Sequence, residues 1–190
     1  MREEGVGALS LHEVARRVGM KAPSLYTYFE SKHALYDEIF RLGMQQYRAE
    51  VDAVAREAGN GPDALDAAVA HALRFADANP ELYSLLFERH VPGFEPSEES
   101  MREAQGLLDD GARHVQRLVD SGAIRPALPI EQARDILIVV IQGLTSLKRA
   151  NEPGAAPGEG RFGPLVPHVV ALLKNAWISG EHPVSTEEHQ

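Results

Sequence analysis

The chain has 190 residues, 44% of them apolar, an ordinary share for a globular protein and enough for one all-helical unit or a small head with a larger body. It has no cysteine, which excludes disulfides and thiolate chemistry, and no run of about 18 uncharged apolar residues such as a membrane-spanning helix needs. The net charge of −9 argues against indiscriminate DNA binding and is unevenly placed: residues 1–56 hold 8 basic and 8 acidic side chains, whereas residues 57–190 hold 11 and 20.

The opening, MREEGVGALS, has no apolar signal core, and with the lack of cysteine this gives a cytoplasmic protein as the expectation. Ser10 can cap a helix with its hydroxyl. Leu11, Val14, Ala15 and Val18 then follow at i, i+3, i+4, i+7, one apolar helical face. Gly19 can stop that helix in the left-handed conformation. Pro23 falls in the first turn of a second helix, where its missing N–H is not needed. Leu25 and Phe29 give the second helix an inner face, leaving Ser24, Tyr26, Thr27 and Tyr28 to point elsewhere. Small Ala15 lets the two helices approach closely. Arg16, Arg17, Lys21 and Lys32 face only Glu13 and Glu30 here, so the segment is weakly basic. This is the pattern of a helix-turn-helix that lays its second helix in the DNA major groove.

Ser31 can cap a connector helix running through Leu35, Ile39 and Leu42 to about Ala58. Gly59-Asn60-Gly61-Pro62 stops it, and Pro62 and Asp63 start the next helix, with Leu65, Val69, Ala72, Leu73 and Ala76 as its stripe. After Asn79-Pro80 a short helix carries Leu82, Tyr83, Leu86 and Phe87 on one face. Val91–Pro96 reads as a loop. Helical spacing resumes at Ser97 and ends at Ser121-Gly122. The segment from Ile130 to about Ala150 is apolar around nearly its whole circumference, which predicts burial on all sides. Residues 151–163, rich in Gly, Pro and Ala, predict a flexible loop. Leu165–Ile178 forms the last helix, and the end, SGEHPVSTEEHQ, predicts a frayed tail. No strand pattern or internal repeat occurs, so the fold class is all-α.

The stretch from Leu9 to Phe40 resembles the DNA-binding motif of the TetR (tetracycline-repressor-like) family of bacterial regulators. The matching features are VARRVG at the end of the first helix, PSLY at the start of the second, the run LYTYF, and SK-x-x-L after it. NPELYSLLF resembles one class of body domain in the same family. The resemblance implies a head with the start of the connector helix at 1–45, an effector-binding and dimerisation domain at 46–180, and a flexible tail at 181–190. It also implies a further helix before the motif, of which REEGVGALS resembles only the tail, so the head's first helix is missing or truncated in the chain as given. Uncovering Val14, Val18, Leu25 and Phe29 would cost roughly 1.5–3 kcal/mol each, which predicts a loosened head.

By the same resemblance, His12 reaches a base edge. Ala22 and Pro23 stand at the tip of the recognition helix, where they can offer apolar contact to a thymine methyl, flanked by Lys21, Ser24, Thr27 and Tyr28. Tyr26, Tyr28 and Lys32 match positions that bind phosphates and set register. The last two long helices would pair with a second copy into a four-helix interface, so the partners are a palindromic double-stranded operator, a second copy of the chain and a small, largely apolar effector. Candidate effector contacts are Phe75, Tyr83, Phe87, His90, Phe94, Met101, His114 and Gln142; related bodies often carry a His at the last position, before Gly143. These residues can also be plain core, His12 a solvated helix residue, and Arg16 and Arg17 surface ion pairs with Glu13.

Two other readings stand beside the ligand-responsive repressor. A helical enzyme has little to point to: no HExxH, no phosphate-binding Gly loop and no GxSxG occur, the Glu30–His33 spacing is a single E-x-x-H, and nothing points to a Ser-His-Asp triad. A helical adaptor that has lost DNA binding rests on the missing first helix. No cofactor or metal is expected.

Overall fold

The structure, a computed structural model, describes residues 10–178 except 89 and 157. The expected truncated first helix before Ser10 and the frayed tail lie outside the described residues. Among those residues there is no strand. Eight α-helices follow in order: α1 Leu11–Arg17, α2 Ala22–Tyr26, α3 Lys32–Ala58, α4 Asp63–Ala78, α5 Pro80–Tyr83, α6 Glu98–Asp120, α7 Ile130–Asn151 and α8 Val166–Ile178. A π-helical turn, Ser84–Glu88, continues α5, and a 3₁₀ turn, Gly163–Leu165, leads into α8. No helix among the described residues is long and apolar enough to cross a membrane.

Helix boundaries fall where local chemistry puts them. Gly19 (φ 71°) ends α1 in a Schellman turn: Met20 N–H donates to Ala15 O at 2.8 Å and Gly19 N–H to Arg16 O at 3.3 Å. Gly122 (φ 75°) ends α6 the same way, with Ala123 N–H to Leu118 O and Gly122 N–H to Val119 O, both 2.9 Å. Ser31 caps α3 by accepting Ala34 N–H at 3.0 Å. Ser10 differs from expectation. Its extended backbone puts the carbonyl at the start of α1, and its hydroxyl makes no capping bond.

The chain divides into two compact units. The first takes the chain as far as Ala49 together with Phe75–Leu107; the second takes Glu50–Arg74 and the chain from Leu108 on. In the first unit the buried stripe of α3 is Leu35, Tyr36, Phe40, Gly43, Met44 and Tyr47. Only Leu35 of the expected stripe is in it; Ile39 is half-buried and Leu42 exposed, because the core lies about one residue around the helix from the Leu-Ile-Leu line. Gly43 is required by packing, since a Cβ there would stand 2.8 Å from Leu82 Cδ1. Arg48 Nη1 donates to Glu103 Oε2 (2.6 Å) and Gln45 Nε2 to Glu103 Oε1 (2.7 Å), joining α3 to the first half of α6.

The second unit has a core of its own: Leu65, Val69, Val115, Leu118, Ile124, Ala133, Leu144, Val170 and Trp177. Polar ties close its edges. Lys174 Nζ donates to Asp66 (2.7 Å) and Asp63 (3.1 Å), Arg125 N–H to Trp177 O (2.7 Å), and Ser121 Oγ to Asn60 O (2.8 Å). The connection before α8 is folded around Glu152, whose carboxylate accepts Arg161 N–H at 2.7 and 2.9 Å. Helix α7 departs from the expected burial on all sides. Ala133, Leu144, Thr145 and Lys148 are buried, but Val139 is 70% exposed and Leu147 48%.

Candidate nucleic-acid interface

The head is built on a few small contacts. Ala15, Leu11 and Leu25 are buried and lock α1 against α2, while the Gly19 turn sets the angle between them. Pro23 sits in the first turn of α2, whose N-cap is Lys21. With the apolar face committed inward, Lys21, Pro23, Ser24, Tyr26, Thr27 and Tyr28 are left exposed and Ala22 half-buried. Tyr28 is the more exposed of the two tyrosines, at 73% against 46% for Tyr26. Thr27 Oγ1 makes only a long bond to Pro23 O (3.4 Å), so its hydroxyl remains available as a donor or acceptor. Phe29, expected on the inner face of α2, lies beyond its end and is half-buried.

His12 and Tyr26, far apart in the motif, come together: their ring centres are 6.3 Å apart at 69°, an edge contact that ties the start of α1 to the end of α2. Lys32 opens α3, with its ammonium 5.4 Å from the centre of the Tyr36 ring. Tyr36 is not among the residues that the sequence singles out, although the i, i+4 spacing from Lys32 carries the signal. Val18 also differs from expectation. It follows the last turn of α1 with φ −91° and ψ 7°, which swings it out of the apolar face, and it is 60% exposed.

The charges of α1 are largely neutralised within the helix. Glu13 accepts Arg16 Nε (2.8 Å), Arg16 Nη2 (2.6 Å) and Arg17 Nε (2.8 Å). Those bonds, from Arg16 first and Arg17 second, hold the Glu13 carboxyl at about 2. Outside that cluster, the cations of the motif are Lys21 and Lys32, which flank the second helix on either side.

The residues singled out as effector contacts are divided. Phe75, Tyr83, Phe87, His90, Phe94 and Met101 lie in the first unit, whereas His114 and Gln142 lie in the second. Phe75, Tyr83 and Phe87 form one aromatic cluster around Tyr47, which sequence reasoning missed; Tyr47 lies 4.7 Å from Phe75 and 5.3 Å from Phe87, and Tyr83 lies 4.9 Å from Phe87. Phe94 stands in a second cluster, against Tyr36, Phe40 and His33. Met101 is exposed and Gln142 half-buried. His114 Nε2 meets Asp52 Oδ1 at 2.8 Å; burial first, then Arg117 and Arg113, push its pKa below the ordinary value against the pull of Asp52.

Ser84, His90 and Glu88 raise the hydrolase question. Ser84 Oγ lies 2.7 Å from His90 Nδ1, and Glu88 Oε2 lies 3.2 Å from the same nitrogen. A triad needs the serine on one ring nitrogen and the acid on the other, so this arrangement cannot relay a proton from serine to carboxylate. Among the described residues no group of three or more His, Asp or Glu is placed to hold a metal ion.

Residues 1–39 match the family model for bacterial regulatory proteins of the tetR family. The matched residues are those of the head, which is thus a DNA-binding domain of the tetR type. With that head the chain is a DNA-binding transcriptional regulator. The fold agrees along most of the chain. The FadR transcriptional regulator of Bacillus subtilis, solved with stearoyl-CoA, superposes with a TM-score of 0.72 at 18% identity, over 95% of this chain and 92% of that one. The TetR-family regulator PfmR of Thermus thermophilus gives 0.68 at 18% identity, over 92% of both. AibR, solved with isovaleryl coenzyme A and operator DNA, gives 0.63 at 16% identity, over 88% of both. No curated protein sequence matches the regulator significantly.

Proposed function

We propose that this regulator is a homodimeric repressor that reads a palindromic operator and releases it when an acyl-coenzyme A thioester binds. The observation that carries the operator reading is the helix-turn-helix itself, with a buried Ala15–Leu25 seam behind it and Lys21, Pro23, Ser24, Thr27 and Tyr28 presented together in front. In this reading Lys21, Ala22, Pro23, Ser24 and Thr27 meet base edges. His12 meets a base beside them, and Tyr26, Tyr28 and Lys32 hold phosphates, which fix register and not sequence. Such a protein acts where the chromosome is, in the bacterial cytoplasm.

The dimer is supported by what α7 and α8 leave uncovered. Val139, Gly143 and Leu147 recur at i, i+4, i+8 and are all exposed, and Ala171, Leu172 and Ala176 form a matching exposed stripe on α8. Leu172 is 68% exposed, and a Cβ at Gly143 would meet nothing within 4 Å, so another helix can approach it closely. We assign head and connector to 1–45, effector binding and dimerisation to 46–180, and a tail to 181–190. The acyl-CoA class is suggested by the ligands of two regulators of the same fold, and an apolar acyl chain suits a site drawn from Phe75, Tyr83, Phe87, His90 and Met101 of the first unit.

The test is to retain random-sequence duplexes on the protein at moderate salt and sequence them. A palindrome with half-sites one helical turn or a multiple apart is the expected outcome; retention of unrelated sequences alone would count against the operator. Isovaleryl-CoA, stearoyl-CoA and coenzyme A alone are then added to the recovered complex. Release by a thioester and not by coenzyme A supports the effector class, and release by none of them rejects it.

A further inference from the structure

Lys32 begins the connector helix at the edge of the head, and its ammonium rests 5.4 Å from the centre of the Tyr36 ring, one turn along α3. Tyr36 is 0% exposed, so its ring cannot follow the lysine; its position is set by what packs behind it. Phe94 packs there, with its ring centre 5.7 Å from that of Tyr36, 6.5 Å from Phe40 and 6.2 Å from His33, all three on α3. Phe94 belongs to the loop that precedes α6, and that loop is fastened to α3 at its far end. Asp37 accepts Ser97 N–H at 2.8 Å and Ser97 Oγ–H at 2.7 Å, and Ser100 Oγ donates to Asp37 O at 3.3 Å. A wedge at Phe94 and a clamp at Ser97 thus grip the turn of α3 that carries Lys32.

We propose that the 91–97 loop positions Lys32 for its phosphate, with Phe94 acting through Tyr36 as the positioning residue. The inference rests on the operator-binding reading above. A lysine stem has many rotamers, and a charge already placed over a fixed ring loses less freedom when it meets a phosphate. Loosening Phe94 frees the Tyr36 ring and lets the ammonium wander. Phe94 is then part of the head's support rather than a wall of the effector site. The loop follows the π turn Ser84–Glu88, so a change in that turn has a short route to the Lys32 contact.

The test uses the full chain and the duplex recovered by selection, with affinity followed against salt. Each lost phosphate contact lowers the slope of log K against log salt by about 0.9, so Lys32→Ala should lower it by about 1.8 for a dimer with two heads. Phe94→Leu should lower it by a similar amount, and the double variant should fall no further. A merely structural role would reduce the bound fraction at every salt and leave the slope alone. Asp37→Asn, which unfastens the other end of the loop, should act in the same sense. Without DNA, the Lys32 ε-methylene proton resonance should be shifted upfield by the Tyr36 ring in the wild type and return in Phe94→Leu. An unshifted resonance in the wild type overturns the proposal. So does a wild-type slope in Phe94→Leu when Lys32→Ala has lowered it, and that result leaves the operator reading intact. An unchanged slope in Lys32→Ala removes the phosphate role of Lys32 and the proposal with it.

Discussion

The head and the second unit stand on different amounts of buried surface. The head's two helices, of 7 and 5 residues, bury Leu11, Ala15 and Leu25 and leave Val18, Tyr26 and Tyr28 exposed. The second unit buries a nine-residue apolar cluster and exposes Val139 and Leu172. Exposed apolar groups therefore mean different things in the two places. In the head they belong to a small scaffold whose outward side chains are the proposed DNA contacts. In the second unit a core already exists, so the exposed stripes of α7 and α8 are surplus, and they are the proposed contact with a second copy.

The largest expected effect comes from turning that surplus against itself. Leu172→Glu or Val139→Glu places an unpaired charge in the proposed interface, which should weaken dimerisation by about 3 kcal/mol or more, on the order of 100-fold. Sedimentation should show monomers, retained helical content, and loss of palindrome binding. A variant that remains dimeric would move the interface elsewhere. Next come truncations in the two cores. Leu65→Ala should cost about 2–5 kcal/mol of global stability by denaturant melting. Leu25→Ala removes a similar side chain from a much smaller core, so it should erase hydrogen-exchange protection in α1 and α2 while the main melting transition stays in place. Equal effects of the two on the main transition would mean that the head and the second unit unfold as one.

Much of the fold was legible because helix ends are local. Gly19, Ser31 and Gly122 act through bonds to residues within five positions, and the sequence window contains both partners. The register of α3 was not legible. That helix is apolar on more than one side, and only the packing of Gly43 against Leu82 and Leu86 decides that Tyr36, Phe40 and Tyr47 turn inward while Leu42 does not. Helix α7 failed for the opposite reason, since its periodicity reported what it could bury and not what one chain can cover. At the site, the outward set of α2 was readable from Leu25 and Pro23. The Phe94–Tyr36–Lys32 stack was not, because Phe94 is remote in sequence and looked like any other aromatic. The aromatic candidates Phe75, Tyr83 and Phe87 stand in one cluster, but Tyr47, which joins them, came from a helix read only as a connector.

Acid should separate the units by mechanism. In the second unit His71 and His114 are both held below the ordinary imidazole value of 6.5, chiefly by burial, with Arg74 acting on the first and Arg117 on the second, while Glu50 and Asp52 oppose. A depressed histidine favours the folded state when neutral. That stability is therefore present above the unfolded value and lost as pH falls through the folded one. In the first unit the groups are carboxylates. Burial would raise Asp37, but its bonds from Ser97 and Ser100 outweigh that, and Gln45 and Arg48 hold Glu103 down. Their contribution is present above the ordinary values of 3.8 and 4.5 and lost only below them. Hydrogen exchange followed from about pH 7.5 to about pH 3.5 should weaken the second unit first. His114→Gln should flatten the upper part of the profile and leave the lower part unchanged.

The smallest expected effect returns to the head. Glu13 lies on the surface with two guanidinium partners, and its carboxyl is held at about 2, so it stays ionised at any working pH. A depressed pKa of this size would suggest a strong contribution, but the side chains of Glu13, Arg16 and Arg17 are 40%, 73% and 53% exposed, and water and salt screen such pairs. Glu13→Gln should therefore leave the melting midpoint where it was. What it changes is the field in front of the head, because two cations lose their local counter-charge at once. Affinity for an unrelated duplex should rise at low salt, and the gain should vanish as salt increases. A rise that persists at high salt would mean that Arg16 or Arg17 makes a direct contact, and the boundary of the interface would then extend along α1 beyond His12.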